Sequence, residues 1–158
     1  MAERVEESSV AAQGARAALI LLLLINLFNY IDRYVLAAVE KVISEDLLPG
    51  DHFARTKMGW LANAFLVSYM VLSPVFGRLA IRWSRWGLVG AGVLVWSLAT
   101  GATGLAHTYV ALLLTRCLVG VGEAAYGPIA PSLIADMYPV AVRGRVLAWF
   151  YAAIPVGG

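Results

Sequence analysis

Charge is scarce in this chain, and the scarcity excludes several classes at once. Only 14% of its 158 residues are Asp, Glu, Lys or Arg, against roughly 25% in a water-soluble globule. Water is therefore not the solvent for most of its surface. The formal net charge is +2 with no long basic tract, which leaves nothing to hold a nucleic-acid backbone. One cysteine, Cys117 inside an apolar run, can close no internal disulfide. The two histidines, His52 and His107, have no second ligand at metal spacing and are expected in loops. The chain also lacks an H-E-x-x-H helix, a serine in a G-x-S-x-G turn and any histidine within an apolar run. Enzymatic function is therefore not expected, and neither a metal nor a cofactor is implied.

What the chain has in abundance is apolar length, 61% of its residues. Residues 1–16 are polar enough to form a tail that stays out of lipid. Four runs follow, at about 17–39, 58–77, 87–106 and 109–137, and a fifth begins at 146 and continues to 158. Each of the four reaches the roughly 20 residues that cross a 30 Å hydrocarbon core as a helix. Helices are required there, because backbone amides in lipid find partners only within their own segment or in a closed barrel. The fifth run is too short to cross, so the chain is expected to be the N-terminal piece of a longer protein. A cleaved secretory signal does not fit the first run. It is preceded by Glu3, Glu6 and Glu7, where a signal peptide carries net positive charge.

The basic residues set an orientation. Seven fall on one side of the membrane: Arg4 and Arg16 in the tail, Arg78, Arg82 and Arg85 after the second span, and Arg143 and Arg145 after the fourth. Three fall on the other: Lys41, Arg55 and Lys57. The positive-inside rule then places the N-terminus in the cytoplasm of a multi-pass protein, with the plasma (cell inner) membrane as the expected location.

Four ionisable residues remain inside spans: Asp32 and Arg33 in the first, Arg116 and Glu123 in the fourth. Even mild insertion scales charge such residues about 2.5–3.5 kcal/mol near the bilayer centre, so they are rarely idle. The first span adds Asn26, Asn29 and Tyr30. Positions 26, 29/30 and 33 share a helix face, with Asp32 one turn beyond Asn29, as expected for the lining of a hydrated cavity. The fourth span sets Arg116, Gly120, Glu123 and Gly127 along one face, where the glycines would admit a close neighbour. A static ion-pair cluster that only holds helices together remains the structural alternative. Counted from the outer surface, Asp32 and Arg116 both lie seven residues in, about 10 Å at the helical rise. The depth match predicts that these two pair and that Glu123 lies too deep to join Asp32.

The stretch Arg116-Cys-Leu-Val-Gly-Val-Gly-Glu123 resembles the R-x-x-x-G-x-G-E pattern in the fourth helix of the major facilitator superfamily. Gly77-Arg-Leu-Ala-Ile-Arg82-Trp-Ser-Arg85 resembles that family's G-x-L-x-D-R-x-x-R loop, and Arg143-Gly-Arg145 sits where the family places basic residues. Asn29-Tyr-Ile-Asp32-Arg33, Gly122-Glu123-Ala-Ala-Tyr126-Gly-Pro128-Ile-Ala-Pro131 and Phe150-Tyr-Ala-Ala-Ile-Pro-Val-Gly157 look like spinster-type members. The resemblance implies an all-α membrane fold, of which this chain would be the N-terminal bundle: helices 1–4 and the start of helix 5. One position departs from the pattern: Ile81 stands where the family carries an Asp. Gly77, Ile81, Arg82, Arg85, Asp136, Arg143 and Arg145 would form the cytoplasmic gate, with one acid missing.

By the same resemblance the whole protein would be a secondary active transporter working by alternating access. Its substrate would be an amphiphile such as a lysolipid or a sphingosine-phosphate-like molecule, driven by protons. Helices 1 and 4 lead two inverted repeats in such proteins, and each carries an acid about two-thirds of the way along. Asp32 or Glu123 would change protonation, Arg33 or Arg116 would modulate them or hold an anionic head group, and Asn26, Asn29 and Tyr30 would line the path. The expected partners are the substrate, protons, membrane lipids and the C-terminal bundle of the same transporter. A carrier of small organic anions or sugars, and a non-transporting receptor or scaffold, are the alternatives that the residues leave open.

Overall fold

The computed structural model describes the backbone of residues 2–157 and the side chains of residues 14–155. Seven helices follow one another: α1 (Ala2–Leu47), α2 (Ala54–Leu79), α3 (Arg85–Thr103), α4 (Tyr109–Tyr126), α5 (Ile129–Met137), α6 (Val140–Tyr151) and α7 (Ala153–Gly157). No strand occurs among the described residues. Four stretches are long and apolar enough to cross a bilayer: Gly14–Leu47, Ala54–Leu79, Arg85–Thr103 and Tyr109–Met137.

Most helices outrun the apolar runs that mark them, while α3 (Arg85–Thr103) stops short of the expected 106. α1 extends beyond 17–39 in both directions, α2 begins at Ala54 rather than 58, and α6 begins at Val140 rather than 146. Hydropathy marks where hydrocarbon ends, whereas a helix continues until its hydrogen-bond ladder is interrupted. Local chemistry supplies those interruptions. Gly50 takes a left-handed φ of 71° that ends the turn after α1, a conformation costly for any residue with a Cβ. Asp51 then accepts the Phe53 amide at 2.8 Å and leads into α2. Ser84 and Thr108 cap α3 and α4 by accepting the amides of Gly87 and Ala111, at 3.3 and 3.2 Å, which satisfies one orphan donor on each. The expected single helix over 109–137 breaks at Gly127-Pro128 into α4 and α5, because proline brings no amide to the ladder.

The chain forms two units. One comprises residues 1–31 and 131–158, the other residues 32–130. Within the first, the Asn26 side chain donates to the Phe150 carbonyl at 2.7 Å in a buried bond, and the Tyr138 hydroxyl donates to the Ala15 carbonyl. Helix α1 is thereby tied to α6.

Within the second unit, α4 packs against both α2 and α3, and glycines make each approach possible. A Cβ placed on Gly120 would lie 2.5 Å from the Phe65 carbonyl oxygen of α2. One on Gly122 would lie 2.6 Å from the Gly92 oxygen and the Trp96 nitrogen of α3. These small residues let backbones approach where lipid supplies no hydrophobic drive to association. At the end of this unit holding the α1–α2 turn, Leu48, Met58, Leu61 and Leu112 form an apolar cluster. There the Tyr109 hydroxyl also donates to the Lys57 carbonyl at 2.8 Å. Large apolar side chains such as Met70, Leu98 and Val110 stay exposed on the outside, as a lipid-facing surface requires.

Candidate functional site

Asp32 and Arg33 are neighbours in sequence, yet their side chains serve different helices. Successive residues are turned about 100° around a helix axis, enough to aim one at α3 and the other at α4. The Asp32 carboxylate accepts from the Trp96 indole at 3.2 Å and from the Thr100 hydroxyl at 3.0 Å. Trp96 and Thr100 stand one turn apart on α3 and so share a face. Arg33 instead donates to Glu123 through its Nε at 3.1 Å and through a second guanidinium nitrogen to the same oxygen. Its guanidinium also lies 4.7 Å from the centre of the Phe65 ring and 6.0 Å from that of Tyr69. An arginine can stack on a ring and bond a carboxylate at once, because its charge is spread over a plane. Glu123 is 1% exposed, so its charge is balanced by a nearby cation rather than by water.

Arg116 takes neither acid as a direct partner. It is 5% exposed and donates at 2.7 Å to the hydroxyl of Thr103 on α3, which lies 3.1 Å from the Thr115 hydroxyl. Its Nε is buried with no hydrogen-bond partner. Arg116 and Asp32 line the same cavity, of about 390 Å³, together with Thr100, Thr103 and apolar residues of α1.

The expected Asp32–Arg116 ion pair is thus not formed, and the pairing runs between Arg33 and Glu123. The depth count treated each charge as level with its own backbone. An arginine side chain spans more than a helical turn, so Arg33 reaches the deeper acid. Asp32 meanwhile finds two neutral donors on α3, a helix that the depth count left out. Trp96, Thr100, Thr103, Phe65 and Tyr69 were missed at the sequence level. The signal existed: Trp96, Thr100 and Thr103 place polar groups on one face of an otherwise greasy helix, and Phe65 and Tyr69 stand one turn apart beside Ser68.

Of the remaining stripe on α1, Asn26 and Asn29 are buried and Tyr30 is half-buried. The residues expected at the cytoplasmic gate divide between the two units. Gly77, Ile81, Arg82 and Arg85 belong to the second, where Ile81 is 84% exposed in the turn between α2 and α3. Asp136, Arg143 and Arg145 belong to the first, where Arg143 donates to the Tyr138 carbonyl at 3.3 and 3.4 Å. Among the described residues no cluster of His, Cys, Asp and Glu suits a metal ion.

Buried charges on membrane-length helices, held by helix-packing glycines, define an intramembrane polar site. The profile of the Major Facilitator Superfamily matches residues 22–158, and the chain belongs to that superfamily. Within it, the sequence is spinster-like. It is 46% identical over 146 residues to Protein spinster homolog 1 of Homo sapiens, across 90% of this chain and 27% of that protein. It is 38% identical over 134 residues to a sphingosine-1-phosphate transporter of Danio rerio, across 84% of this chain and 26% of that one. The fold is similar to that of a bacterial homolog of the human lysosomal transporter spinster, solved in an inward-facing, unoccupied conformation. The TM-score is 0.78 at 30% identity, over 91% of this chain and 29% of that one. The chain thus spans about a quarter of the length of the curated relatives it matches.

Proposed function

We propose that the chain supplies the N-terminal helices of a proton-coupled secondary transporter that moves a lipid-like amphiphile by alternating access. The observation that carries this reading is the contrast between the half-buried Asp32 and the buried Glu123. Glu123 has a compensating cation, Arg33, in contact. Asp32 is bonded only by the neutral Trp96 and Thr100, and it lines a cavity. An acid without a bonded counter-charge, beside space for water, can give up and regain a proton without breaking an ion pair. We therefore assign the coupling proton to Asp32. Glu123 and Arg33 form a pair that opens and closes as substrate and proton exchange places.

Membership in the superfamily supports a transporter, and the name of the Danio rerio relative supports a single-chain phospholipid-like substrate with an anionic head. Arg33, whose side chain is partly exposed, is the cation available to such a head group. The excess of Lys and Arg in the tail, after α2 and after α5 supports a cytoplasmic N-terminus. Asn26, Asn29 and Tyr30 continue the polar face of α1 toward that side, and Gly77, Ile81, Arg82, Arg85, Asp136, Arg143 and Arg145 are assigned to the gate there.

The test uses the complete transporter in proteoliposomes. Asp32→Asn should abolish substrate-driven proton movement while the protein still folds and binds lysolipid. Glu123→Gln should lower transport of both. Lysolipids should compete and hydrophilic organic acids should not. An Asp32→Asn protein whose transport keeps its native pH dependence would remove Asp32 from the coupling role.

A further inference from the structure

We infer that the cavity between α1, α3 and α4 is an aqueous half-channel, through which Asp32 exchanges protons with the side of the membrane where α1 ends. Its lining runs along α1 from Asp32 through Val35, Leu36, Val39 and Ile43 to Asp46. Asp46 lies 14 positions beyond Asp32, about 21 Å of helix, so the cavity lining reaches from near the end of α1 to the half-buried Asp32. Its volume of about 390 Å³ holds on the order of ten waters at about 30 Å³ each. A water also needs polar partners, and these are present where the channel ends. They are the Asp32 carboxylate, the hydroxyls of Thr100 and Thr103, and the Arg116 guanidinium.

Charge decides between water and a bound anion. α1 contributes Asp32 and Asp46, α4 contributes Arg116, α3 and the residues after it contribute no charge, and no residue of α2 lines the space. With both carboxylates ionised the lining carries one net negative charge, so a phosphate or carboxylate head group is repelled, whereas water and hydronium are not. All the residues lining the channel lie within residues 32–116. Arg116 has a role in it: the guanidinium orders water beside Asp32 and raises the barrier to metal cations.

The proton role rests on Asp32 as the coupling acid, whereas the channel itself does not. Both are read separately in the complete transporter with Cys117 and every other native cysteine replaced. Leu36→Cys, on the lining, and Leu98→Cys, exposed on α3 but absent from the lining, are treated with a membrane-impermeant thiosulfonate. The reagent is applied only from the side on which α1 ends. Leu36→Cys should label at least tenfold faster than Leu98→Cys, and Gly104→Trp at the mouth should erase that advantage. Equal rates for the two cysteines would overturn the channel. Fast labelling in a protein whose Asp32→Asn form still couples protons would overturn the proton route. Slowed proton uptake in Gly104→Trp, with lysolipid binding retained, would support it.

Discussion

Gly120 is the position where one added methyl tests both the packing and the site. A Cβ there would lie 2.5 Å from the Phe65 carbonyl oxygen and 3.2 Å from the Tyr69 nitrogen. A relaxed carbon–oxygen contact is about 3.3 Å, so α2 and α4 must separate by roughly 0.8 Å. The nearest atom, the Ser68 Oγ, can rotate away, whereas these two belong to the backbone and cannot. Overpacking of this kind costs about 1–3 kcal/mol, while alanine regains about 0.8–1.0 kcal/mol of helix propensity over glycine. The net expectation for Gly120→Ala is destabilisation by about 1–2 kcal/mol. The same shift moves Phe65 from beneath Arg33, so transport should fall further than the loss of folded protein explains. Gly101→Ala is the control, since nothing lies within 4 Å of a Cβ there. It should be neutral or gain up to about 1 kcal/mol. Thermal unfolding of the purified complete transporter, followed by tryptophan fluorescence, reads both variants. If Gly120→Ala unfolds together with Gly101→Ala, the α2–α4 contact is not as close as the geometry states.

Other residues offer independent tests. Arg33→Lys keeps the charge but loses the flat guanidinium that bonds Glu123 while stacking on Phe65, so transport should drop several-fold in vesicles without loss of folded protein. Ile81→Asp places an acid beside Arg82 and Arg85, and should shift the complete transporter toward its outward-open state by about 1–3 kcal/mol. Spin-label distances across the cytoplasmic face would show that shift, and unchanged distances would remove Ile81 from the gate. Outside the membrane, the Lys57 hydrogen bond, then that of the Phe53 amide, hold the Asp51 carboxyl below its ordinary 3.8. A lowered value means that the ordering contributed by charged Asp51 is present at neutral pH and lost only as pH falls below that ordinary value. Hydrogen exchange at Phe53 should therefore be faster in Asp51→Asn than in the native protein at pH 6, and the two should converge in acid below about pH 3.8.

The number and order of the membrane-length segments, and the identity of the charges within them, were legible because each follows from a local rule. A run of 20 apolar residues has few alternatives to a spanning helix, and a charge inside one is conspicuous by its cost. Helix ends were less legible. Val140 opens α6 six residues before the apolar run because Pro139 and the charged turn after it are compatible with a helix in water. Pro128 was visible in the sequence, yet its effect on the 109–137 segment depended on whether neighbouring groups could replace the missing hydrogen bond. Gly120 was expected to admit a neighbour and does. That Gly122, two residues on, does the same toward α3 follows from α4 lying between two helices, and no single-helix pattern reveals that.

The pairing of the charges was the least legible feature, for a reason that bears on mechanism. Depth along the membrane is a one-dimensional coordinate, and it put Asp32 level with Arg116. Which groups bond depends also on rotation about the helix axis and on side-chain length. Rotation sends Asp32 to Trp96 and Thr100, and length lets Arg33 reach Glu123. The outcome gives the two acids, one on α1 and one on α4, different electrostatic settings. Equivalent settings would make the two acids compete for one proton and one cation. Under the proposed function, unequal settings would let one acid exchange its proton while the other holds an arginine that a substrate head group displaces.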